Sequence, residues 1–259
     1  MKKKLLFVVN VDWFFISHRL PLATRAIEKG YEVHLACNFS QPIELMGAEG
    51  IICHQIPFTR SNYNPVNALV IFKYILKLFK EINPDLVHLV TIKPILFGGI
   101  ASRLLKVPAT VFAISGLGYI FISKGIIASI RKKLIGLIYS FAFNCKNLCV
   151  IFQNTEDQNE LSELTGLNKK YSVIISGSGV NIEKFSFSRL PKSSPTIMIA
   201  SRLLKDKGVY EFISAAKIVK KINNKIKFVL VGTLDPENPS SISLEELNGW
   251  INAEYIELL

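Results

Sequence analysis

No stretch of this chain supplies the roughly 20 predominantly apolar residues that a membrane-spanning helix needs. The best candidate, 134–152, is broken by Asn144, Lys146 and Asn147. A secretory leader is not expected either: the basic start Met1-Lys-Lys-Lys is followed by an apolar run, but Asn10 and Asp12 end it and no small-residue cleavage pattern follows, so 4–9 reads as a buried strand. Cysteine is sparse. Cys37, Cys53, Cys145 and Cys149 lack the paired spacing of a zinc site and lie mostly in apolar runs, which reads as reduced, packed thiols in a cytoplasmic protein. No paired-carboxylate arrangement of a glycosidase stands out, and no nucleic-acid recognition motif accompanies the basic charge.

Acidic residues are scarce in one place above all. Between Asp85 and Glu156 there is none, while Lys93, Arg103, Lys106, Lys124, Arg131, Lys132, Lys133 and Lys146 all fall inside. Lys and Arg number 31 against 20 Asp and Glu, a formal charge of +11, which calls for an anionic partner: nucleic acid, a phosphorylated substrate or an acidic lipid surface. With 49% hydrophobic residues the chain has enough apolar mass to fill real cores.

Apolar runs over 4–9, 32–37, 51–56, 85–90, 109–114, 148–152 and 172–175 alternate with helical patterns over 18–29, 42–49, 65–82, 95–106, 126–145 and 156–165. Several runs are apolar throughout, as strands covered on both faces are, and the alternation predicts a doubly wound parallel α/β sheet. A first domain over 1–185 is followed by a polar, Pro-containing linker, 186–194, and a new unit from Pro195. That unit, 195–259, holds about 65 residues against the roughly 100–150 of an ordinary domain. It is expected to be the first part of a longer domain, and the 259-residue form is expected to bind nucleotide poorly and turn over undetectably.

Within 195–232 the pattern is strand, cationic turn, helix, strand, with Arg202 and Lys207-Gly208 at the mouth of the helix. In a βαβ unit the helix N-terminus lies at the carboxyl end of the first strand, where open α/β sheets bind ligands. The helix dipole and free N–H groups favour a phosphate there, and two cations suit a diphosphate. Both are otherwise ordinary solvated loop cations.

The stretch Ala200-Ser-Arg-Leu-Leu-Lys-Asp-Lys-Gly208 resembles the start of the second domain in glycosyltransferase family 4. Further pieces of the resemblance cover nearly all of the chain: Trp13-Phe-Phe-Ile-Ser-His18-Arg19-Leu-Pro21, Gly116-Leu-Gly118, Gly179-Val-Asn181 with Phe185, and Val231-Gly-Thr-Leu-Asp235-Pro-Glu-Asn-Pro239. Together they resemble the branch of bacterial N-acetylgalactosaminyl- and galactosyltransferases acting on undecaprenyl-diphosphate-linked sugars. The resemblance implies two Rossmann-like domains facing each other across a cleft, the GT-B fold, with the second incomplete here. It also implies retaining transfer from a nucleotide sugar, a UDP-sugar, to a lipid-linked saccharide in surface polysaccharide assembly. No cofactor or metal is implied, because Arg202 and Lys207 would stabilise the departing diphosphate. A catalytically silent sugar- or lipid-binding remnant of such an enzyme is the rival reading.

The resemblance distributes further roles. Gly232 and Asp235, with Ser115 and Gly116, fall on donor-side loops; Ser115 stands where many relatives carry a His beside the reacting carbon. A bare Gly-x-Gly is equally an ordinary strand-end turn. Family members usually have a glycine-rich loop after the first strand, but 10–19 contains no glycine and presents Trp13, Phe14 and Phe15 ahead of His18 and Arg19. Trp13, His18 and Arg19 are therefore candidates for the acceptor, with Arg19 on a phosphate; the alternative is aromatics that staple a helix and a surface cation. His88 and Lys93 lie at the next strand end, and His34 and His54 within strands need no catalytic reading. Relatives carry a Glu-x7-Glu motif beyond this chain's length; Glu237 with Glu245, and Glu246 with Glu254, share that spacing by coincidence. Over 126–145, Ile127, Ile130, Leu134, Leu137, Ile138 and Phe141 recur at helical spacing around Arg131-Lys132-Lys133. Such a helix suits an anionic membrane surface or a core with a solvated basic turn. The membrane reading places the protein on the inner face of the cytoplasmic membrane.

Overall fold

A computed structural model describes residues 2–40, 49–58, 65–117, 125–190, 195–236, 238 and 240–259. The helix expected over 42–49 lies outside them but for Glu49, as do Gly118, Glu237 and Pro239. The chain divides into two compact units, residues 1–180 and 181–259.

The first unit runs β1 (Lys4–Val11), α1 (Asp12–His18), α2 (Leu20–Glu28), β2 (Glu32–Asn38), β3 (Ile52–Gln55), α3 (Pro65–Ile82), β4 (Leu86–Val90), α4 (Ile92–Leu104), β5 (Ala109–Ile114), α5 (Ile126–Phe143), β6 (Leu148–Phe152), α6 (Thr155–Thr165) and β7 (Ser172–Ile174). Seven parallel strands pair in the order β3-β2-β1-β4-β5-β6-β7. Because side chains alternate across a strand, each central strand feeds two cores. Leu6, Val8, Val87, Leu89, Phe112, Val150 and Phe152 pack under α3 to α6 through residues such as Ile75, Phe79, Ile95 and Tyr139. On the other face, Leu5, Phe7, Val9, Val33 and Leu35 meet Phe15 of α1 and Ala23 of α2.

One expectation is corrected at the first turn. Residues 10–19, expected to be a loop leading to a helix at His18, instead extend β1 to Val11 and form α1. The cause is the Asp12 carboxylate, only 1% exposed, which accepts from the Trp13 backbone N–H at 2.8 Å, the Ser40 N–H at 2.7 Å and the Ser40 hydroxyl at 2.7 Å. It holds an orphan N–H of the first turn, as an acid near a helix N-terminus does. Phe15 is then driven into the core edge-on to Phe7, with ring centroids 5.5 Å apart.

On β2, next to the edge strand β3, His34 joins two neighbours. Its Nδ1 lies 2.9 Å from His54 Nε2 and its Nε2 lies 2.9 Å from Glu32 Oε1. These histidines are satisfied where they stand.

The second unit contains β8 (Thr196–Ala200), a 3-10 turn at Lys205–Lys207, α7 (Val209–Ile222), β9 (Lys227–Val231), α8 (Leu244–Asn252) and β10 (Glu257–Leu258), with parallel strands in the order β10-β9-β8. Leu203, Val209, Ile213, Phe228, Leu230, Leu247 and Ile256 form its core. Ser243 caps α8 by accepting from the Glu246 N–H while Glu246 accepts from the Ser243 N–H, a reciprocal capping box.

Candidate functional site

In the second unit the carboxyl ends of β8 and β9 run side by side. The Ser201 N–H donates to the Val231 carbonyl and the Leu203 N–H to the Thr233 carbonyl. A Cβ on Gly232 would lie 2.0 Å from the Ser201 carbonyl oxygen, and its φ of +151° is in glycine's territory, so no other residue fits this approach. Lys207 ends the 3-10 turn, and Gly208 (φ +77°) turns the chain into α7, whose first turn has no side-chain cap. Free backbone N–H groups, Lys207 and Arg202 thus share one end of the sheet, with Lys207 exposed.

Arg202 is not free. Its Nη1 donates to Asp235 Oδ2 at 3.0 Å, and Asp235 is held in turn by its N–H donating to the Ser241 hydroxyl. The ion pair connects two residues assigned separately from the sequence, and it lowers the net positive charge that Arg202 presents.

In the first unit the candidate residues sort by burial. Trp13 is 46% exposed, its ring edge-on to Phe14, whereas Phe15 is wholly buried. The His18 ring stacks on Phe14 at 4.2 Å, and its Nδ1 is 2.6 Å from the Ser17 hydroxyl. Arg19, between α1 and α2, folds its guanidinium inward: Nη1 donates to the His18 carbonyl at 2.9 Å and to the Ser178 hydroxyl at 3.0 Å. Burial depresses its pKa, and its guanidinium forms no salt bridge with a described carboxylate. His88, in the middle of β4 with its ring 5.2 Å from Phe7, is pushed down to about 3 by burial and then by the Arg19 charge, so it is neutral near pH 7. Ser115 is half-buried at the end of β5 and Gly116 is exposed beside it with φ +129°.

Sequence reasoning overlooked Ser178, the structural role of Asp12, and Thr91. Thr91 opens α4 at φ +74°, an outlier for a β-branched residue that the sequence does not signal. Asp12 carried a usable sign: an acid directly after an apolar run, at a helix start.

On α5 the helix sorts its faces. Tyr139, Ala142, Phe143 and Gly136 are buried, and a Cβ on Gly136 would lie 2.5 Å from Leu164 of α6, so that face is committed to packing. The opposite stripe of Ile130, Leu134, Leu137 and Phe141 is exposed, between 41% and 68%. Arg131 and Lys133 flank it in solvent, but Lys132 is half-buried and pairs with Glu160 of α6. The basic triplet is therefore split between two faces. No described helix is long and apolar enough to cross a membrane. Among the described residues no group of three or more His, Cys, Asp or Glu side chains is placed to hold a metal ion.

Parallel-sheet units with a cationic helix mouth at a strand end define the class to which the comparisons then give a family. Residues 4–154, more than half of the chain, match the "Glycosyl transferase 4-like" family, and the chain belongs to it. It is 29% identical over 90% of its length to the N,N'-diacetylbacillosaminyl-diphospho-undecaprenol α-1,3-N-acetylgalactosaminyltransferase of Campylobacter jejuni, spanning 66% of that protein. It is 26% identical over 78% of its length to the UDP-Gal:α-D-GlcNAc-diphosphoundecaprenol α-1,3-galactosyltransferase of Escherichia coli, spanning 54% of it. Among solved structures, Anabaena HepE in complex with UDP and glucose shares the fold at a TM-score of 0.66 and 16% identity, over 99% of this chain and 69% of that one. The fold is of the GT-B class, built of Rossmann-like units, and the chain spans about two thirds or less of the curated relatives it matches.

Proposed function

We propose that this protein moves a sugar from a UDP-sugar to an undecaprenyl-diphosphate-linked saccharide at the cytoplasmic face of a membrane, in surface polysaccharide or glycan assembly. The observation that carries the reading is the turn from Ser201 to Gly208 in a chain of this family: Lys207, Arg202 and the uncapped start of α7 at one sheet end. That group suits a diphosphate, and in a retaining transfer the same charges stabilise it as it departs, with no metal or cofactor called on. Gly232 and Asp235 line the donor loop beside it, and Ser115 with Gly116 form the donor-side turn of the first unit.

Trp13, His18 and Arg19 serve the acceptor, Arg19 as the buried cation that an acceptor phosphate would neutralise. The apolar stripe on α5, flanked by Arg131 and Lys133, serves as the membrane contact; Lys132 supports it by tying α5 to α6. The relatives' names, with undecaprenyl-diphosphate-linked acceptors in both, support the acceptor class.

The test is acceptor-dependent release of UDP by the native gene product, using a panel of UDP-sugars and undecaprenyl-diphosphate-linked saccharides. Sugar transfer that Lys207→Ala abolishes supports the reading. Absence of binding to every UDP-sugar, or UDP release that ignores the acceptor, overturns it.

A further inference from the structure

Among the described residues eight buried side-chain atoms have no hydrogen-bond partner, and they fall into two sets. Ser102, Thr110, Tyr139 and Ser162 are spread through the layer between the sheet and α4 to α6. Asn10 Oδ1 and Thr91 Oγ1 instead lie toward and just past the carboxyl ends of β1 and β4, His88 Nε2 in the middle of β4 and Arg19 Nε in the turn after α1.

The two strands are neighbours, paired in register from Leu5–Leu86 to Val8–Leu89, so Asn10 and Thr91 each stand two residues past the last pair. Asn10 sits in an irregularity of β1, where the pairing with β2 shifts between Val8 and Val11, and such bulges re-aim side chains. Arg19 lies close enough to His88 for its charge to disfavour a second imidazole proton. Unsatisfied buried groups are costly and rare in folded proteins, and four of them on two neighbouring strands and the turn beside them, leading to the ligand-binding edge of an α/β sheet, call for a ligand.

The chemistry of the four atoms narrows that ligand. Arg19 Nε–H donates only and carries a full charge that no described carboxylate balances. His88, 7% exposed, offers a neutral nitrogen beside it. Asn10 Oδ1 accepts only, and Thr91 Oγ1 both donates and accepts. Asn10 and Thr91 each stand three residues past the Phe7–His88 pair, about 10 Å at 3.3 Å per residue, so an inorganic phosphate held on the first pair would not reach them; a neutral sugar would leave Arg19 uncompensated. A molecule with a phosphoryl group at one end and hydroxyl groups at the other satisfies all four.

We propose that Asn10, Arg19, His88 and Thr91 form a subsite for a glycosyl phosphate, with the phosphoryl oxygens on Arg19 and His88 and the sugar hydroxyls on Asn10 and Thr91. The assignment to the acceptor rests on the reading of the protein as a transferase onto diphosphate-linked saccharides, in which the sugar and its proximal phosphate are this group. Ser178 then positions Arg19 by accepting from Nη1.

The test is a titration of the 259-residue chain with N-acetylglucosamine 1-phosphate, inorganic phosphate and N-acetylglucosamine, followed through the side-chain NMR signals of its four histidines. The His88 signal, assigned by its loss in His88→Gln, is expected to move with the glycosyl phosphate and to move far less with either half alone. Arg19→Gln is expected to weaken glycosyl phosphate at least tenfold, and Thr91→Val severalfold while leaving phosphate affinity within twofold; thermal melts confirm that the variants fold. A still His88 signal at saturation, equal affinity for inorganic phosphate, or unchanged affinity in both variants overturns the subsite.

Competition separates the sources: a short-chain prenyl diphosphosaccharide should displace the probe, and displacement by UDP-sugar alone overturns the acceptor assignment. Glycosyl phosphate binding here, with no sugar transfer by the native gene product, refutes the transferase reading and supports the subsite. Transfer with parental acceptor KM in Arg19→Gln overturns the subsite and spares that reading.

Discussion

Asp235 offers the sharpest test of the donor turn, because it is a negative charge 3.0 Å from a cation assigned to a diphosphate. Lys207 is exposed and engages no carboxylate among the described residues, so Lys207→Ala removes a whole charge-assisted contact, about 1.5–3 kcal/mol, or roughly 10- to 150-fold in UDP affinity. Arg202 must share its guanidinium with Asp235, and its side chain is 54% exposed, which screens what remains. A unit charge about 5 Å from a phosphoryl oxygen at the dielectric of an exposed site, ε roughly 70, is worth about 1 kcal/mol, or about fivefold. Arg202→Ala should therefore weaken UDP by about fivefold and Asp235→Asn tighten it by about fivefold, while the double variant, with the parental net charge, returns to within about twofold. Calorimetric titration of the native gene product with UDP at low salt reads all four, and the differences should shrink in high salt. Weaker binding in Asp235→Asn would refute the charge argument, showing that Asp235 contacts the ligand or holds Arg202 for it. Unchanged affinity in both Arg202→Ala and Lys207→Ala would remove the donor turn altogether.

Gly232→Ala should destabilise the second unit by about 1–3 kcal/mol from overpacking, because its Cβ would land on the Ser201 carbonyl; limited proteolysis should then release the 181–259 region first, and an unchanged cleavage pattern would contradict the close approach. Leu134→Asp with Leu137→Asp should abolish co-sedimentation with anionic liposomes while leaving the melting temperature within a few degrees, since both side chains are already in solvent. Arg131→Gln with Lys133→Gln should only reduce the bound fraction, and more so at low salt. Equal binding to neutral vesicles would remove α5 as the contact.

Much of the architecture was legible because a doubly covered parallel strand is an unbroken apolar run. The runs at Ala109–Ile114 and Leu148–Phe152 became strands with those bounds, and the 3.6-residue rhythm over Pro65–Ile82 became α3 end to end. The donor turn was legible for the same reason: a strand, a cationic Gly-ended turn and an amphipathic helix are all local patterns. Glycine's absence from 10–19 signalled a departure from the family's usual loop, but α1 itself was not legible. What closes it is the contact of Asp12 with Ser40, twenty-eight residues away.

The sequence by itself determined the α/β class, the order of strands and helices apart from α1, the basic excess and the residues at the mouth of α7, since each depends on near neighbours in the chain. Only the tertiary structure decided which of those residues remain free to act. Pairing across long separations gave Arg202 to Asp235 and Lys132 to Glu160, and folded Arg19 inward beside Ser178 and within electrostatic reach of His88. It also decided that α5 turns Tyr139 and Ala142 to the core while Ile130, Leu134, Leu137 and Phe141 stay in solvent. Periodicity names the faces of a helix that is apolar nearly all round; the neighbour that fills one of them, here α6 against Gly136, chooses which is left exposed.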